Sequence, residues 1–429
     1  MPRHGLVEAK VGRYAAIFVA TTRQTLLRPS LLMAVAAPVP GVATRLGLIQ
    51  VPLVLETTLL GAAILGAAFL LSWAAEVAQL DISQTLAIAV LALIAVLPEY
   101  AVDLFLAYRA GQGDEARRHL AVANMTGANR LLIGIGWAAV VLIYWAKTRR
   151  KELGLRPEQR TDVGFLLVAT LWAFSIPVRG QLSLLDLAVL GTLFVAYIIR
   201  AAREEVEEPE LIGAAAALGA LPRTPRRILT VVLFLFSAAA ILLVAEPFAD
   251  GLIDIGAEFG ISQFLLIQWV APLASEAPEM IIAILFTLRL KAQAGMGTLI
   301  SSKVNQWTLL VGTLPLVYAI GGGGTEGFFN PMQMDARQVE EVFLTAAQSL
   351  FAVAVIASLT ITRWEAVGLL VLFFGQFAIP VPAVRIGFGI AYIVLAVGIF
   401  AFSRDSRHSL VDSIVHVFRP SRRRDRSSG

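Results

Sequence analysis

The sequence predicts an all-α integral membrane protein with two inverted five-helix repeats plus an extra C-terminal helix. Hydrophobic residues make up 57% of the 429 positions and charged residues 15%, against about 45–50% and about 25% in soluble domains. Eleven apolar stretches approach the roughly 20 residues that a helix needs to cross a bilayer. Two short motifs also recur in the same order in both halves of the chain. Together these observations favour a helical bundle in a membrane.

Charged clusters separate the apolar stretches and set their bounds. Two stretches, 162–178 and 365–379, are short, which favours tilted or broken helices. Residues 31–43 are apolar, but Pro38 and Pro40 interrupt them, so this segment is predicted to be interfacial or re-entrant. The predicted spans are 52–75, 83–108, 120–146, 162–178, 184–199, 228–248, 262–288, 297–320, 339–360, 365–379 and 386–402.

An internal repeat indicates how the spans are organised. The tripeptide Ile-Ser-Gln at 82–84 recurs at 261–263, and a Pro-Glu pair at 98–99 recurs at 278–279, with offsets of 179 and 180 residues. A duplication of five spans explains both offsets. Because five is odd, the two copies must run in opposite directions through the membrane. The predicted domains are an N-terminal interfacial segment (1–50), a first repeat (51–202), a cytoplasmic linker (203–227), a second repeat (228–380), an additional transmembrane helix (381–403) and a basic cytoplasmic tail (404–429).

Basic residues predict which loops face the cytoplasm. Lys and Arg cluster at 147–160, 200–227 and 289–291 and in the tail after residue 404, and such clusters are typical of cytoplasmic loops. Cytoplasmic loops and lipid headgroups explain these clusters and the arginine-rich end 419–426 better than nucleic acid does. The chain is therefore predicted to be a multi-pass protein of a bacterial inner membrane. Its predicted partners are membrane lipids and inorganic cations, with no nucleic acid, and the sequence indicates no oligomeric state.

Four acidic residues lie inside predicted spans. Such residues usually face the bundle interior and mark a pathway or an ion site, because a charge in mid-membrane is costly. A proline before Glu99 and before Glu279 frees backbone carbonyl oxygens, which are tolerated only where they line a cavity. Carboxylates and carbonyls together suit a hard cation. The four residues are Glu99 and Asp103, four apart on one helical face, and Glu276 and Glu279, three apart on the corresponding helix.

The span after each Pro-Glu helix carries a polar cluster. Small and amide side chains there permit close helix approach and supply neutral oxygens. The alternative is hydrogen bonding between helices of the kind that polar residues form in any bundle. The symmetric placement beside paired glutamates favours a site. The first cluster is Asn124, Thr126, Gly127 and Asn129, and the second is Ser301, Ser302, Lys303, Asn305 and Gln306.

These motifs resemble those of the calcium/cation antiporter superfamily and its sodium/calcium exchanger membrane region. That family has two inverted five-helix repeats, each with a Gly-Thr-Ser-Leu-Pro-Glu type motif and a Gly-Asn-x-x-Gly-Ser-Asn type motif on the next helix. Residues 97–99 and 278–279 are similar to the first motif, and 123–129 to the second. The resemblance implies that Glu99 and Glu279 coordinate the metal cation.

The resemblance also implies roles for the polar clusters. Asn124 and Asn129 match polar positions of the second motif, whereas the second repeat reproduces this motif poorly. The predicted cation-binding residues are Glu99, Asp103, Asn124, Asn129, Glu276, Glu279, Ser302 and Asn305. The departures from the family pattern are Val96 and Glu276 in place of a serine and Leu132 and Leu310 in place of a further Asn or Asp.

Two basic residues close to the expected site are predicted to take part in charge coupling. Arg130 and Lys303 would offset the four carboxylates to a net charge of −2 (−4 + 2). A fixed cation beside a carboxylate disfavours a bound metal ion. Our hypothesis is that Lys303 replaces one bound cation or takes part in proton coupling. The alternative is a structural pair between Lys303 and Glu276 or Glu279.

The sequence thus predicts a secondary active cation antiporter coupled to Na+, Ca2+ or H+, and not an enzyme. The two Pro-Glu helices are expected to meet near the bilayer midplane and to present Glu99 and Glu279 to a cation by alternating access. The missing ligands favour a proton-coupled or sodium/proton reaction. No cofactor is expected apart from the transported cation. The alternatives are a transport-inactive or channel-like scaffold and, with less support, a membrane-embedded enzyme, for which the chain offers carboxylates but no nucleophile and no cysteine.

Overall fold

The computed structural model describes residues 29–82, 97–203, 211–323, 329–378 and 381–418. Nearly all regular structure in these ranges is helical, and short strands form two-stranded antiparallel sheets. Residues 1–28 of the predicted N-terminal segment, the first part of the predicted span 83–108 and the arginine-rich end 419–426 lie outside the described residues.

The helices follow one another along the whole chain. Those of the first half and the linker are α1 Pro29–Ala36, α2 Pro38–Arg45, α3 Leu53–Ala78, α4 Leu97–Gly111, α5 Glu115–Arg118, α6 Ala123–Leu131, α7 Ala138–Thr148, α8 Gln159–Ala173, α9 Ser175–Arg179, α10 Leu184–Ala201 and α11 Gly213–Gly219. Those of the second half are α12 Arg223–Phe259, α13 Gln263–Leu288, α14 Ala292–Asn305, α15 Val311–Gly321, α16 Ala336–Ile356, α17 Arg363–Ala378, α18 Pro382–Phe402 and α19 Arg404–Phe418.

Two other kinds of element connect these helices. π-helical turns at Leu132–Trp137 and Gln306–Leu310 join α6 to α7 and α14 to α15. The strands are β1 Glu152–Gly154, β2 Gln181–Leu182, β3 Met332–Gln333 and β4 Thr360–Thr362. β1 pairs with β4 and β2 with β3, so each sheet ties the first repeat to the second.

Eight helical segments of the described residues are long and apolar enough to cross a membrane. They correspond to eight of the predicted spans, and the chain is a multi-pass integral membrane protein of the predicted all-α class. The predicted spans 297–320 and 365–379 also form helices. The second lies in α17, which has 16 residues, and the first carries the polar residues Ser301, Ser302, Lys303, Asn305 and Gln306. The eight segments are Leu53–Ala78, Glu115–Thr148, Gln159–Arg179, Leu184–Ala201, Arg223–Phe259, Gln263–Leu288, Ala336–Ile356 and Pro382–Phe402.

Several helices extend beyond the predicted apolar bounds. α12 has 37 residues and reaches from Arg223 to Phe259, whereas its apolar stretch covers 228–248. The difference arises because charged residues at a helix end continue the backbone hydrogen bonding in polar surroundings. The apolar length limits the membrane crossing and not the helix itself.

One compact unit contains the described residues up to 101 and residues 211–255. α1 and α2 meet at Ala37, just before Pro38, and both pack against α3. The predicted interruption of the segment 31–43 is therefore a break between two helices. Gly66 of α3 allows the close contact, because a Cβ atom there would lie 2.6 Å from the Cβ of Ala37.

An ion-pair cluster in this unit joins the end of α3 to the start of α12. Asp81 accepts hydrogen bonds from Nε of Arg226 at 2.8 Å and from Nε of Arg227 at 2.9 Å. The hydrogen bond from Arg226, assisted by Arg227 and by both positive charges, lowers the pKa of Asp81 from 3.8 to about 2. Asp81 is therefore ionised at neutral pH and forms ion pairs with both arginines.

The other compact unit contains residues 102–203 and the described residues from 256 onwards. In it, α13 packs against α6 and α14, and α16 packs along α18, the additional C-terminal helix. Glycines make the contacts of α13 close. A Cβ atom on Gly295 of α14 would lie 2.5 Å from the carbonyl oxygen of Ala283 in α13. α13 and α14, which carry predicted site residues, therefore touch at their backbones.

Candidate functional site

The two Pro-Glu motifs place buried carboxylates on α4 and α13. Glu99 and Asp103 are 1% and 0% exposed, and Glu276 and Glu279 are 0% and 6% exposed. Pro278 lies inside α13 next to Glu279. It removes one backbone donor, so a carbonyl oxygen of the preceding turn lacks its helical partner. All four predicted carboxylates are withdrawn from solvent, and those of α13 lie beside irregular backbone.

The structure brings two of these carboxylates next to polar groups of the following helix. The side chain of Asn124 and the backbone of Met125 lie within interaction distance of the Asp103 carboxyl group. The hydroxyl group of Ser302 lies in the same way beside Glu279. The acid and the neutral polar side chain thus come from α4 and α6 in the first repeat and from α13 and α14 in the second. Carboxylate, amide and hydroxyl oxygens are the donors that a hard cation binds.

Lys303 is fully buried and donates a hydrogen bond to a predicted cation ligand. Its Nζ atom lies 2.5 Å from Oδ1 of Asn129 and 4.3 Å from the centre of the Trp307 ring. Of the charged groups around it, Glu276 provides the attraction. The amide oxygen of Asn129, a predicted cation ligand, therefore accepts a hydrogen bond from the amine of Lys303.

Glu276 belongs to the same network as Lys303. Nε2 of Gln306 donates a hydrogen bond to its Oε1 atom. Gln306 is the first residue of the π turn that follows α14, and the π turn Leu132–Trp137 follows α6 in the first repeat. Such turns are frequent at functional sites because they widen a helix and redirect its side chains. Asn305, the residue before Gln306, is buried as well.

Arg130 has a buried acidic partner that the sequence analysis did not identify. Nη2 of Arg130 lies 2.5 Å from Oε2 of Glu341, and its guanidinium carbon lies 4.9 Å from the centre of the Trp269 ring. Both ends of the ion pair are buried, so the pair forms a neutral unit. The predicted net charge of −2 did not include Glu341, the partner of Arg130. An acidic residue inside the predicted span 339–360 was the signal that could have revealed it.

The pair of Arg130 and Glu341 belongs to a larger buried network that includes α18. Nε of Arg385 lies 3.8 Å from Oε1 of Glu341, and its Nη2 lies 2.6 Å from Oε2 of Glu340. Nε2 of Gln348 donates a hydrogen bond of 3.3 Å to the carbonyl oxygen of Arg130. Sequence reasoning missed these partners. Contacts of Glu341 with both arginines thus connect α18, the additional C-terminal helix, to α6 of the first repeat.

Comparison with known proteins identifies the family of the chain. The family described as sodium/calcium exchanger protein matches residues 53–202 and 229–381, which confirms the resemblance seen in the motifs. The crystal structure of the H+/Ca2+ exchanger CAX is 42% identical, covers 93% of this chain and 98% of its own, and superposes with a TM-score of 0.86. The structure of native YfkE is 14% identical, covers 86% of this chain and 100% of its own, and has a TM-score of 0.58, which shows a similar fold. No curated protein sequence matches. The chain belongs to the sodium/calcium exchanger protein family.

Proposed function

We propose that the chain is a secondary active antiporter that carries calcium across a bacterial inner membrane in exchange for protons. The observation that carries this proposal is the 42% identity over 93% of the chain to the H+/Ca2+ exchanger CAX. Buried carboxylates in both repeats support it, because a carboxylate can hold either a calcium ion or a proton. We propose Glu99 and Glu279 as the essential carboxylates.

Burial of the carboxylates provides the coupling between the two flows. An uncompensated charge in a low-dielectric site is costly. When calcium leaves Glu279, protons must take its place, and when calcium returns, the protons must leave. A carboxylate that is never left empty therefore exchanges one ion for the other. Asp103, which is buried one turn after Glu99 on α4, is expected to act in the same way.

Neutral oxygens complete the proposed calcium site. Calcium takes about six to eight oxygen ligands. Among the residues that the structure describes, no group of three or more His, Asp or Glu side chains is placed to hold a metal ion. The transported ion therefore needs ligands such as the amide of Asn124, the hydroxyl group of Ser302 and backbone carbonyls next to Pro278. Such ligands bind calcium without holding it permanently.

Alternating access requires helices that can change shape beside the site. α13 contains Pro272 and Pro278, and π turns follow α6 and α14. Each interrupts the regular hydrogen bonding of a helix, and interrupted helices are where carriers with inverted repeats form their sites. These positions support a mechanism in which the site opens to one face of the membrane at a time.

Counterflow in proteoliposomes tests the proposal. Unlabelled calcium inside the vesicles should accelerate the uptake of labelled calcium. A carrier whose binding site is loaded with calcium returns to the outer face faster than an empty one, whereas a channel has no such return step. Glu99→Gln and Glu279→Gln should each abolish this uptake. Glu258→Gln, which removes an exposed carboxylate, should retain it. Uptake that does not respond to internal calcium would indicate a channel, and the absence of any flux would indicate a transport-inactive scaffold.

A further inference from the structure

We propose that the ammonium group of Lys303 is a tethered cation that occupies a monovalent-cation position in the membrane and thereby excludes sodium from the transport cycle. The inference rests on the proposed function and deepens it, because it restricts the transported ions to a divalent cation and protons. The observation that carries it is the hydrogen bond from Lys303 to Asn129. This bond places the lysine of one repeat on an expected ligand of the other.

The orientation of the Asn129 amide directs its oxygen to the hydrogen bond with Lys303. Its Nδ2 atom donates a hydrogen bond of 2.8 Å to the carbonyl oxygen of Met125 on the same helix. This contact fixes the amide plane and turns Oδ1 towards Lys303, whose Nζ atom lies 2.5 Å away. A sodium ion in this place would need the same oxygen, because amide oxygens are ligands for hard cations.

Two further neighbours of Lys303 stabilise a cation. Nζ lies over the face of Trp307, 4.3 Å from the ring centre, where the negative face of the ring attracts positive charge. The carboxylate of Glu276 adds a favourable charge interaction. These three contacts favour the ammonium form of a side chain that is 0% exposed. Lys303 thus has an oxygen, a π face and a carboxylate around it.

The Lys303 network leaves a different carboxylate for transport. Glu276 already interacts with Lys303 and accepts a hydrogen bond from Gln306. Glu279, one turn further along α13, has the neutral hydroxyl group of Ser302 beside it. In the first repeat Arg130 forms an ion pair with Glu341. We therefore assign Glu276 to the tethered cation and Glu279 to the transported ion.

A cation that is covalently attached cannot be exchanged. An exchanger that uses sodium must bind and release monovalent cations in each cycle, whereas Lys303 keeps one such position filled in every state. Its charge balances Glu276 without any ion from solution. Protons then remain as the coupling ion for calcium, and sodium at either face should have no effect on the rate.

Two measurements on the full-length protein test the tethered cation. The first is calcium uptake into proteoliposomes with NaCl or choline chloride inside. The second is the thermal unfolding midpoint in detergent as NaCl replaces choline chloride, since an ion that binds the folded state raises the midpoint.

Wild type should respond to sodium in neither measurement. Lys303→Gln and Lys303→Met should gain a sodium-dependent rise of the midpoint and a sodium effect on uptake. Lys151→Gln, which changes an exposed lysine, should behave as wild type.

The outcomes separate this inference from the proposed function. Suppose that wild type transports no calcium and that sodium stabilises the Lys303 variants without stabilising wild type. This result would support the inference about Lys303 and contradict the proposed function. Sodium-driven calcium uptake by wild type would overturn the tethered cation, and so would folded Lys303 variants that do not respond to sodium. If the variants unfold in choline chloride, recovery in NaCl supports the inference, and equal unfolding in both salts contradicts it.

Discussion

Gly127 of α6 lies against the backbone of Gln268 in α13, so closely that a Cβ atom on the glycine would sit 1.7 Å from the Gln268 carbonyl oxygen. Real Cβ atoms do not approach an oxygen to this distance, and the atom in the way is backbone. The side chain of Gln268 also donates a hydrogen bond of 3.3 Å to the hydroxyl group of Thr126, the neighbour of Gly127. The contact brings the polar helix of the first repeat against the Pro-Glu helix of the second.

Gly127→Ala should destabilise the protein and abolish calcium uptake. The added methyl group must push α6 away from α13, and overpacking of this kind costs about 1–3 kcal/mol or more. Thermal unfolding in detergent and transport assays on the same preparation would measure both effects. Gly398→Ala in α18 is the matched control, because among the described residues nothing outside its own stretch of helix lies within 4 Å of the position that a Cβ atom would take. If Gly127→Ala unfolded at the wild-type midpoint, the close contact would be wrong.

Glu341→Gln should destabilise the protein strongly. It leaves the buried guanidinium of Arg130 without its main negative partner, and removal of one partner of a buried ion pair costs about 3–5 kcal/mol. The double variant Arg130→Met, Glu341→Gln should recover part of this loss, because the unpaired charge is gone. A double-mutant cycle based on unfolding midpoints measures the coupling. Additive effects of the two substitutions would show that the pair does not form.

An exposed pair serves as the control for the buried one. Nη2 of Arg45 lies 3.8 Å from Oε2 of Glu246, and the two side chains are 43% and 46% exposed. Such pairs contribute about 0–1 kcal/mol because water and salt screen them. Glu246→Gln should therefore leave the midpoint close to that of wild type.

Asp81→Asn should make the stability of the protein less dependent on pH in acid. The pKa of Asp81 is lowered from 3.8 to about 2 in the folded state, so its ion pairs stabilise the fold fully above the unfolded pKa. This stabilisation is lost as the pH falls through the interval from 3.8 to about 2. Unfolding midpoints measured across this interval, starting from neutral pH, should fall more steeply for wild type than for Asp81→Asn. Parallel curves for the two proteins would contradict the arginine contacts of Asp81.

Glu276→Gln should destabilise the protein, and Lys303→Met added to it should restore part of the loss. Glu276 supplies the charge that attracts Lys303, so the single variant leaves a buried ammonium group without that carboxylate. The double variant removes both charges together. Unfolding midpoints of the two single variants and the double variant give the interaction energy. A coupling of zero would mean that Glu276 does not balance Lys303.

Sequence reasoning identified the fold class and the family because these depend on patterns along the chain. Apolar length and the repeated Pro-Glu motif are local features, and the comparison with the exchanger family confirms what they indicated. The interruption between α1 and α2 was also predicted, because Pro38 has no backbone N–H group to continue the hydrogen bonding of α1. Helix ends were less accurate, since α12 continues through charged residues that the hydropathy of the sequence assigns to loops.

The partners of the buried charges could not be read from the sequence. Arg130 and Glu341 are 211 residues apart and Lys303 and Asn129 are 174 residues apart, so only the folded chain brings them together. The sequence analysis counted Arg130 and Lys303 as two bases beside four carboxylates. The structure distinguishes them, because Arg130 has an ion pair of its own with Glu341 whereas Lys303 holds the amide oxygen of Asn129.

Simultaneous recording of calcium and pH tests the proposed exchange most directly. Proteoliposomes with wild-type protein and a calcium indicator and a pH indicator inside would receive a pulse of external calcium in choline chloride. We predict that internal calcium rises while internal protons leave, and that Glu279→Gln abolishes both signals although Glu258→Gln retains them. Calcium entry without proton movement, or proton movement that persists in Glu279→Gln, would contradict calcium/proton exchange at this carboxylate.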